Sequence, residues 1–269
     1  MTEQGGYALR LSEAERMRYR MMAALAKDSE AELWSRAGIV EGNRVADVGC
    51  GPGAILAEIG RLVGPTGRVI GVEPGEEARS AARQELEAAA LSFVDVLEGS
   101  GDATGLEPRS WDCVMVRHVL VHTGAAAAGI VAHLATLLVP GGHLYLVDVD
   151  LDAFRTAPAD EAVDEQMTRY ADFHRRRGND VRIGPQLGVL LRAAGLEAVE
   201  HRGTYQRIPA AAVADGGPLR AAREAMLASG DLQPEDEERW EAARARFGAR
   251  ADAELWMPAF IAIGRAPLG

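Results

Sequence analysis

Lysine is almost missing from this 269-residue chain: Lys27 stands alone, and every other fixed positive side chain is an arginine. Positive charge is outnumbered as well, 29 Lys and Arg against 40 Asp and Glu, for a formal charge of −11. Phosphate backbones want a basic face, so this balance argues against nucleic acid as a partner. Only two cysteines are present, Cys50 and Cys113, in Gly-rich or apolar surroundings and without metal-ligand spacing. That excludes a disulfide framework and a cysteine metal site. The opening Met-Thr-Glu-Gln-Gly-Gly has neither the basic flank nor the apolar stretch of a signal peptide. The longest apolar helical run, Ala125 to Val139, is too short to span a membrane and carries His133. The expectation is a protein of the reduced cytoplasm without a membrane partner. At 48% hydrophobic and 26% charged residues the chain has material for a sizeable core.

The order of periodicities predicts an α/β fold. Residues 1–38 read as an N-terminal helical segment. Ser12 and Glu15 form one Ser-x-x-Glu capping box, followed by Met17, Met21 and Leu25 at helical spacing, and Ser29 with Glu32 forms a second. Residues 39–150 then alternate: strands at Arg44–Val48, Arg68–Val72, Phe93–Leu97, Trp111–Val116 and His143–Val149, helices at Ala54–Val63, Glu76–Ala90 and Ala125–Leu138. Such alternation means a parallel sheet covered on both faces. After Asp150 it breaks. Residues 151–184 are polar and helical with no strand signal, a lid-like insertion. Residues 185–269 return to the core through a helix at Gln186–Ala194 and extended runs at Leu196–Ile208 and Leu255–Gly264, interrupted by a second helical insertion at about 210–253. The fold expected is a Rossmann-like, doubly wound, mostly parallel seven-stranded sheet, its last strand antiparallel beside Leu196–Ile208. The charge runs Arg175–Arg177 and Glu235–Glu238 read as solvated helix faces.

The strongest motif is Val45-Ala46-Asp47-Val48-Gly49-Cys50-Gly51-Pro52-Gly53. Glycines at the end of a first strand let the backbone turn sharply and approach a ligand, although a tight strand-to-helix turn alone also wants glycine. Glu73 follows about 20 residues later, at the end of the second strand, where a carboxylate takes two ribose hydroxyls. Gly49-x-Gly51-x-x-Ala54 also satisfies the permissive dinucleotide fingerprint. Asp47 separates the two readings: a carboxylate repels a pyrophosphate but attracts an ammonium group. A dinucleotide-dependent reductase is the weaker reading on that ground. Asp102 and Ala103, just after the third strand, add an acceptor for an exocyclic adenine amino group.

With Gly71-Val72-Glu73-Pro74, Gly101-Asp102-Ala103 and Leu138-Val139-Pro140-Gly141-Gly142 in order behind the glycine loop, the chain resembles the class I S-adenosylmethionine-dependent methyltransferases. Among these it is most similar to those of quinone and natural-product biosynthesis. The likeness is firm over residues 39–150 and weaker beyond. It implies S-adenosyl-L-methionine as cofactor. It places Gly49, Gly51, Gly53 and Asp47 at the methionyl part, Glu73 at the ribose, Pro74 on the adenine face, and Asp102 and Ala103 at the adenine amino group. Arg117 and His118 come near the methionyl part. Tyr7 and Glu15-Arg16-Met17-Arg18 with Tyr19 resemble the segment that precedes the core in this group, where Arg18 or Tyr19 would help close the cofactor site.

Methyl transfer needs a positioned nucleophile and exclusion of water, and a general base if the acceptor is a phenol, alcohol or enol. His122 is the candidate base, with Asp148 as its helper, since strands four and five should open side by side onto the cofactor edge. Asp148, Asp150 and Asp152 alternate onto one side if the strand continues, but no wider ligand set is visible and no metal is expected. His174 and Tyr170, four residues apart in the first insertion, would face the pocket from a lid helix. The expected partner is a small-molecule acceptor. A cofactor-binding cyclase or rearrangement enzyme of the same fold is the alternative. Acceptor identity, the methylated atom and oligomeric state, including a homodimer, stay open.

Overall fold

In a computed structural model, residues 13–213 and 217–269 are described; Tyr7 and Ser12 lie outside them. The N-terminal segment is one helix, α1 (Glu13–Arg36). The second capping box does not start a new helix, because Ser29 turns its hydroxyl back onto the Leu25 carbonyl, 2.7 Å away. The buried side of α1 is not the Met17, Met21 and Leu25 stripe, which faces outward. It is Ala23, Ala26, Glu30, Leu33 and Trp34.

The core then follows the alternation: β1 (Arg44–Val48), α2 (Ala54–Val63), β2 (Arg68–Glu73), α3 (Glu76–Ala88), β3 (Val94–Glu98), β4 (Trp111–Arg117), α4 (Ala127–Ala135) and β5 (Leu138–Val149). The Pro140-Gly141-Gly142 turn is absorbed into β5 as a wide irregularity between the Trp111–Leu138 and Cys113–His143 pairs. The first insertion holds β6 (Arg155–Ala157) as well as α5 (Glu161–Arg176), so it is not strandless as its polarity suggested. After α6 (Leu187–Ala193) come β7 (Glu197–Pro209), α7 (Gly217–Ser229), α8 (Pro234–Gly248) and β8 (Glu254–Arg265).

The sheet runs β3-β2-β1-β4-β5-β8-β6, with β7 also paired to β8. Strands β1 to β5 are mutually parallel; β8 enters antiparallel to β5 and to β7. The expected seven strands are present, and the three-residue β6 makes eight.

Each strand buries alternate residues on opposite faces. Val45, Val69, Cys113 and Tyr145 pack under α1, α2 and α3, whereas Ala46, Ile70, Val114 and Leu144 pack under α4, α6 and the lid helices. Because β1 lies between β2 and β4, the order of strands reverses there. The chain ends that leave β1 and β4 diverge, and a crevice opens at the carboxyl edge of the sheet. No described helix is long and apolar enough to cross a membrane.

Candidate active site

The glycine loop closes the gap between β1 and α2. Gly49 (φ +79°) donates its N–H to the Val72 carbonyl at 2.7 Å, and its α-carbon is pressed against Val119, whose Cγ2 would lie 2.3 Å from any added Cβ. Gly51 (φ +52°) differs: a Cβ there would meet no protein atom within 4 Å. Among the described residues the space beside it is open, so a ligand could approach the backbone there.

Beneath the loop Asp47 is 2% exposed, and its Oδ2 has no hydrogen-bond partner among the described residues. Burial pushes its carboxyl up to about 7, opposed by the Arg117 charge and reinforced by Glu73. A buried carboxylate left without a donor is costly. A ligand ammonium group would supply the missing donor and charge.

Glu73 closes the next position. Its two carboxylate oxygens accept the Gly51 and Gly75 N–H groups at 3.1 and 2.8 Å, which fixes the side chain across the β2 end with acceptor sites to spare for hydroxyls. Arg79, from α3, holds the Glu73 and Pro74 carbonyls at 3.0 and 2.6 Å. Asp102 lies past β3, exposed, its Oδ1 accepting from the Ser100 hydroxyl at 2.6 Å. That bond holds its carboxyl below the usual range. Because the strands stand in the order β3-β2-β1-β4, Asp102, Glu73, the glycine loop and His118 follow one another along the sheet edge. An elongated ligand with an adenine, a ribose and an amino acid fits that series.

Arg117, expected near the methionyl part, is close enough to Asp47 for its charge to act on that carboxyl. Its guanidinium turns to Glu30 of α1, with contacts of 2.6 and 3.2 Å. Glu30 is 3% exposed and also accepts from Tyr145 Oη at 2.7 Å and Trp34 Nε1 at 3.0 Å. This hub ties α1 to β4 and β5 directly under the crevice. Sequence reasoning missed it, and its one visible trace is a carboxylate on the same helical face as Trp34.

Past β4 the backbone bends at His118, whose φ of +55° is unusual for a non-glycine residue. Asp148 is fully buried and accepts the Val121 and Val149 N–H groups, each at 3.0 Å. It therefore holds the main chain of the 118–122 turn, and through it the position of His122. The three alternating aspartates do not converge. Asp150 caps the turn at Asp152 N, and Asp152 pairs with Arg175 and Arg182. Among the described residues no group of three metal-ligating side chains comes together.

Beside this turn lies a cavity of about 610 Å³. α1 contributes Tyr19, the β4 end His118 and His122, the β5 end Val149 and Leu151, α5 Met167, Tyr170 and His174, and α7 Ala222 and Ala225. His122 and His174 rings stand 4.9 Å apart, and Tyr170 meets His174 edge-on at 4.5 Å. Burial pushes His118 and His122 down to about 3 and His174 down to about 4. All three imidazoles are therefore neutral across the physiological range.

A family profile described as a methyltransferase domain matches residues 14–201, well over half of the chain. The chain belongs to the S-adenosylmethionine-dependent methyltransferases. It is 35% identical over 154 residues to an uncharacterized 37.1 kDa protein in a Streptomyces fradiae transposon, covering 57% of this chain and 43% of that one. It is 27% identical over 135 residues to the demethylmenaquinone methyltransferase of Lactococcus lactis, covering 48% and 53%. The chain thus spans about half the length of these curated relatives. A putative methyltransferase from Bacillus halodurans has the same fold, with a TM-score of 0.58, 17% identity, and coverage of 88% and 98%. S-adenosylmethionine, whose sulfonium carries a transferable methyl group, is the family's cofactor. The unpartnered Asp47 carboxylate and the open space at Gly51 suit its amino-acid end.

Proposed function

We propose that this methyltransferase acts on a small, largely apolar acceptor seated in the cavity between the β4–β5 edge and the lid helices. The cavity carries the reading. It begins at His118, beside the glycine loop, and runs under α5 and α7 with a lining mostly of aliphatic and aromatic carbon. Its volume is that of a pocket for a drug-sized molecule. A chain with a net charge of −11 is poorly suited to draw in nucleic acid. The demethylmenaquinone relative is consistent with a flat apolar acceptor of quinone or natural-product type.

In this reading Asp47, Gly49, Gly51, Gly53, Glu73, Pro74, Asp102 and Ala103 seat the cofactor, and the lid excludes water. The neutral His122 imidazole accepts the hydrogen bond of an acidic acceptor group and aims its oxygen at the arriving methyl; held down at about 3, it is too weak a base to keep the proton. Asp148 fixes the turn that carries His122. Tyr19 lines both the cavity and the cleft beside Pro52, so α1 is the wall shared by the two.

The test is product mass analysis after incubation with S-adenosylmethionine and a panel of phenols, quinols and amines. A product heavier by one methylene equivalent, H replaced by CH₃, supports the reading. A rearranged product of unchanged mass would move the chain to the cofactor-bound cyclases.

A further inference from the structure

The cavity is uneven in charge. Among the described residues two arginines, Arg18 and Arg177, line it, and no aspartate or glutamate does. Arg18 is already neutralised, its guanidinium meeting Glu15 at 2.7 Å. Arg177 is not. It caps the C-terminus of α5, its guanidinium carbon lies 3.7 Å from the centre of the Phe173 ring, and no carboxylate pairs with it among the described residues. The contrast with its neighbours is direct: Arg175 pairs with Asp152 and Asp172, and Arg176 with Asp231. Stacking on Phe173 keeps the Arg177 fork at the cavity wall while its donors stay available.

The other polar groups of the lining do not cancel this charge. Tyr19, Tyr170 and Asn179 are neutral donors and acceptors, and the imidazoles carry no negative charge in any protonation state. A cationic amine placed here meets a bare guanidinium and no counter-charge. A carboxylate or enolate meets a planar donor fork of matching geometry.

We infer that the acceptor carries an anionic oxygen group that pairs with Arg177, with an apolar body running inward to the methyl-transfer end at His118 and His122. This rests on the cavity being the acceptor site. It narrows the substrate class to apolar organic acids and enolates, and excludes cationic amines.

The experiment uses the full chain saturated with S-adenosylhomocysteine and three probes of one shape: 2-naphthoate, 2-naphthol and 2-naphthylmethylamine. Binding is measured by calorimetry for wild type, Arg177→Gln and Arg177→Lys. Wild type should bind naphthoate at least about tenfold more tightly than the amine. Arg177→Gln should weaken naphthoate by roughly 10–100-fold, the range for hydrogen bonds to a charged group, and leave naphthol within about twofold. Arg177→Lys should recover part of the naphthoate affinity, because it restores the charge but not the fork. Arg177 is exposed, so all three proteins should melt alike. An amine bound as tightly as naphthoate, or naphthoate affinity unchanged in Arg177→Gln, overturns the inference while leaving the cavity as acceptor site. If none of the three probes binds although S-adenosylhomocysteine does, the acceptor-site reading falls and this inference with it.

Discussion

The cofactor edge and the acceptor cavity are built on different plans. At the cofactor edge, consecutive strand ends supply one group each, in sequence order apart from the switch between β1 and β4, and much of the contact surface is backbone. The cavity is assembled from α1, the β4 and β5 ends, α5, α7 and β8, whose contributions lie between residues 18 and 257. Backbone cradles demand glycine and a few fixed carboxylates, so they leave motifs. A cavity demands only volume and apolarity, which many sequences satisfy. In the proposed function the same division holds: the edge would seat the cofactor and the cavity would select the acceptor.

The largest effect expected concerns the cavity's chemistry. His122→Ala should lower turnover by about 10²-fold or more at saturating cofactor, the cost of a misplaced acceptor, with S-adenosylhomocysteine affinity unchanged. Because burial holds the imidazole neutral down to about pH 3, the wild-type rate should show no acidic limb between pH 5 and 7 from this residue. A limb in that range that disappears in the variant would contradict the neutral-imidazole account.

Next comes the joint between the two regions. Glu30 is buried against Arg117, Tyr145 and Trp34, and Glu30→Ala strands the Arg117 charge. The cost should be about 3–5 kcal/mol in denaturant unfolding. A loss below 1 kcal/mol would mean the hub is replaceable by water. Glu73→Ala is milder and confined to the cofactor edge: about 1.5–3 kcal/mol of cofactor affinity by calorimetry, with the cavity probes still bound.

Smallest per unit change is a pH effect. Asp47 is raised in the folded chain to about 7, so between the usual carboxylate range and about 7 the folded state holds a proton that the unfolded state has released. Stability of the ligand-free protein should therefore fall as pH rises through that window, by up to about 1.4 kcal/mol per unit, and level off above it. Asp148, raised to about 7 by burial, adds in the same direction. Cofactor binding runs oppositely. It needs the Asp47 carboxylate, so affinity should rise toward pH 7 by up to about tenfold per unit. Asp47→Asn should flatten that slope.

The same contrast explains what was legible beforehand. Asp47, the three glycines and Glu73 could be placed because a strand-turn-helix unit fixes where their positions go. The antiparallel last strand was expected beside Leu196–Ile208, and β8 does pair antiparallel with β7. The partner of Arg117 was not legible because its strand position says where the residue starts, not which group a long side chain meets, here Glu30. How Asp148 acts was not legible because the neighbouring 118–122 turn presents an N–H group that a buried carboxylate satisfies, which strand adjacency alone does not reveal. Arg177 was read as one of three solvated arginines, since nothing in Arg-Arg-Arg reveals which member stacks on Phe173. The eighth strand, Arg155–Ala157, is too short to carry a period.

The central claim is that two separable sites meet at the β4 end, and a crossed titration tests it most directly. Asp47→Asn removes the cofactor's counter-charge without changing side-chain volume, and Ala222→Trp fills the cavity without touching the sheet edge. At pH 8, S-adenosylhomocysteine should bind Asp47→Asn at least about 30-fold more weakly than wild type, the low end for breaking a buried charge pair. It should bind Ala222→Trp within about twofold, and a 2-naphthoate probe should fail only on Ala222→Trp when both proteins are saturated with S-adenosylhomocysteine. Wild-type affinity for S-adenosylhomocysteine in Asp47→Asn, or its loss in a fully folded Ala222→Trp, would contradict the account.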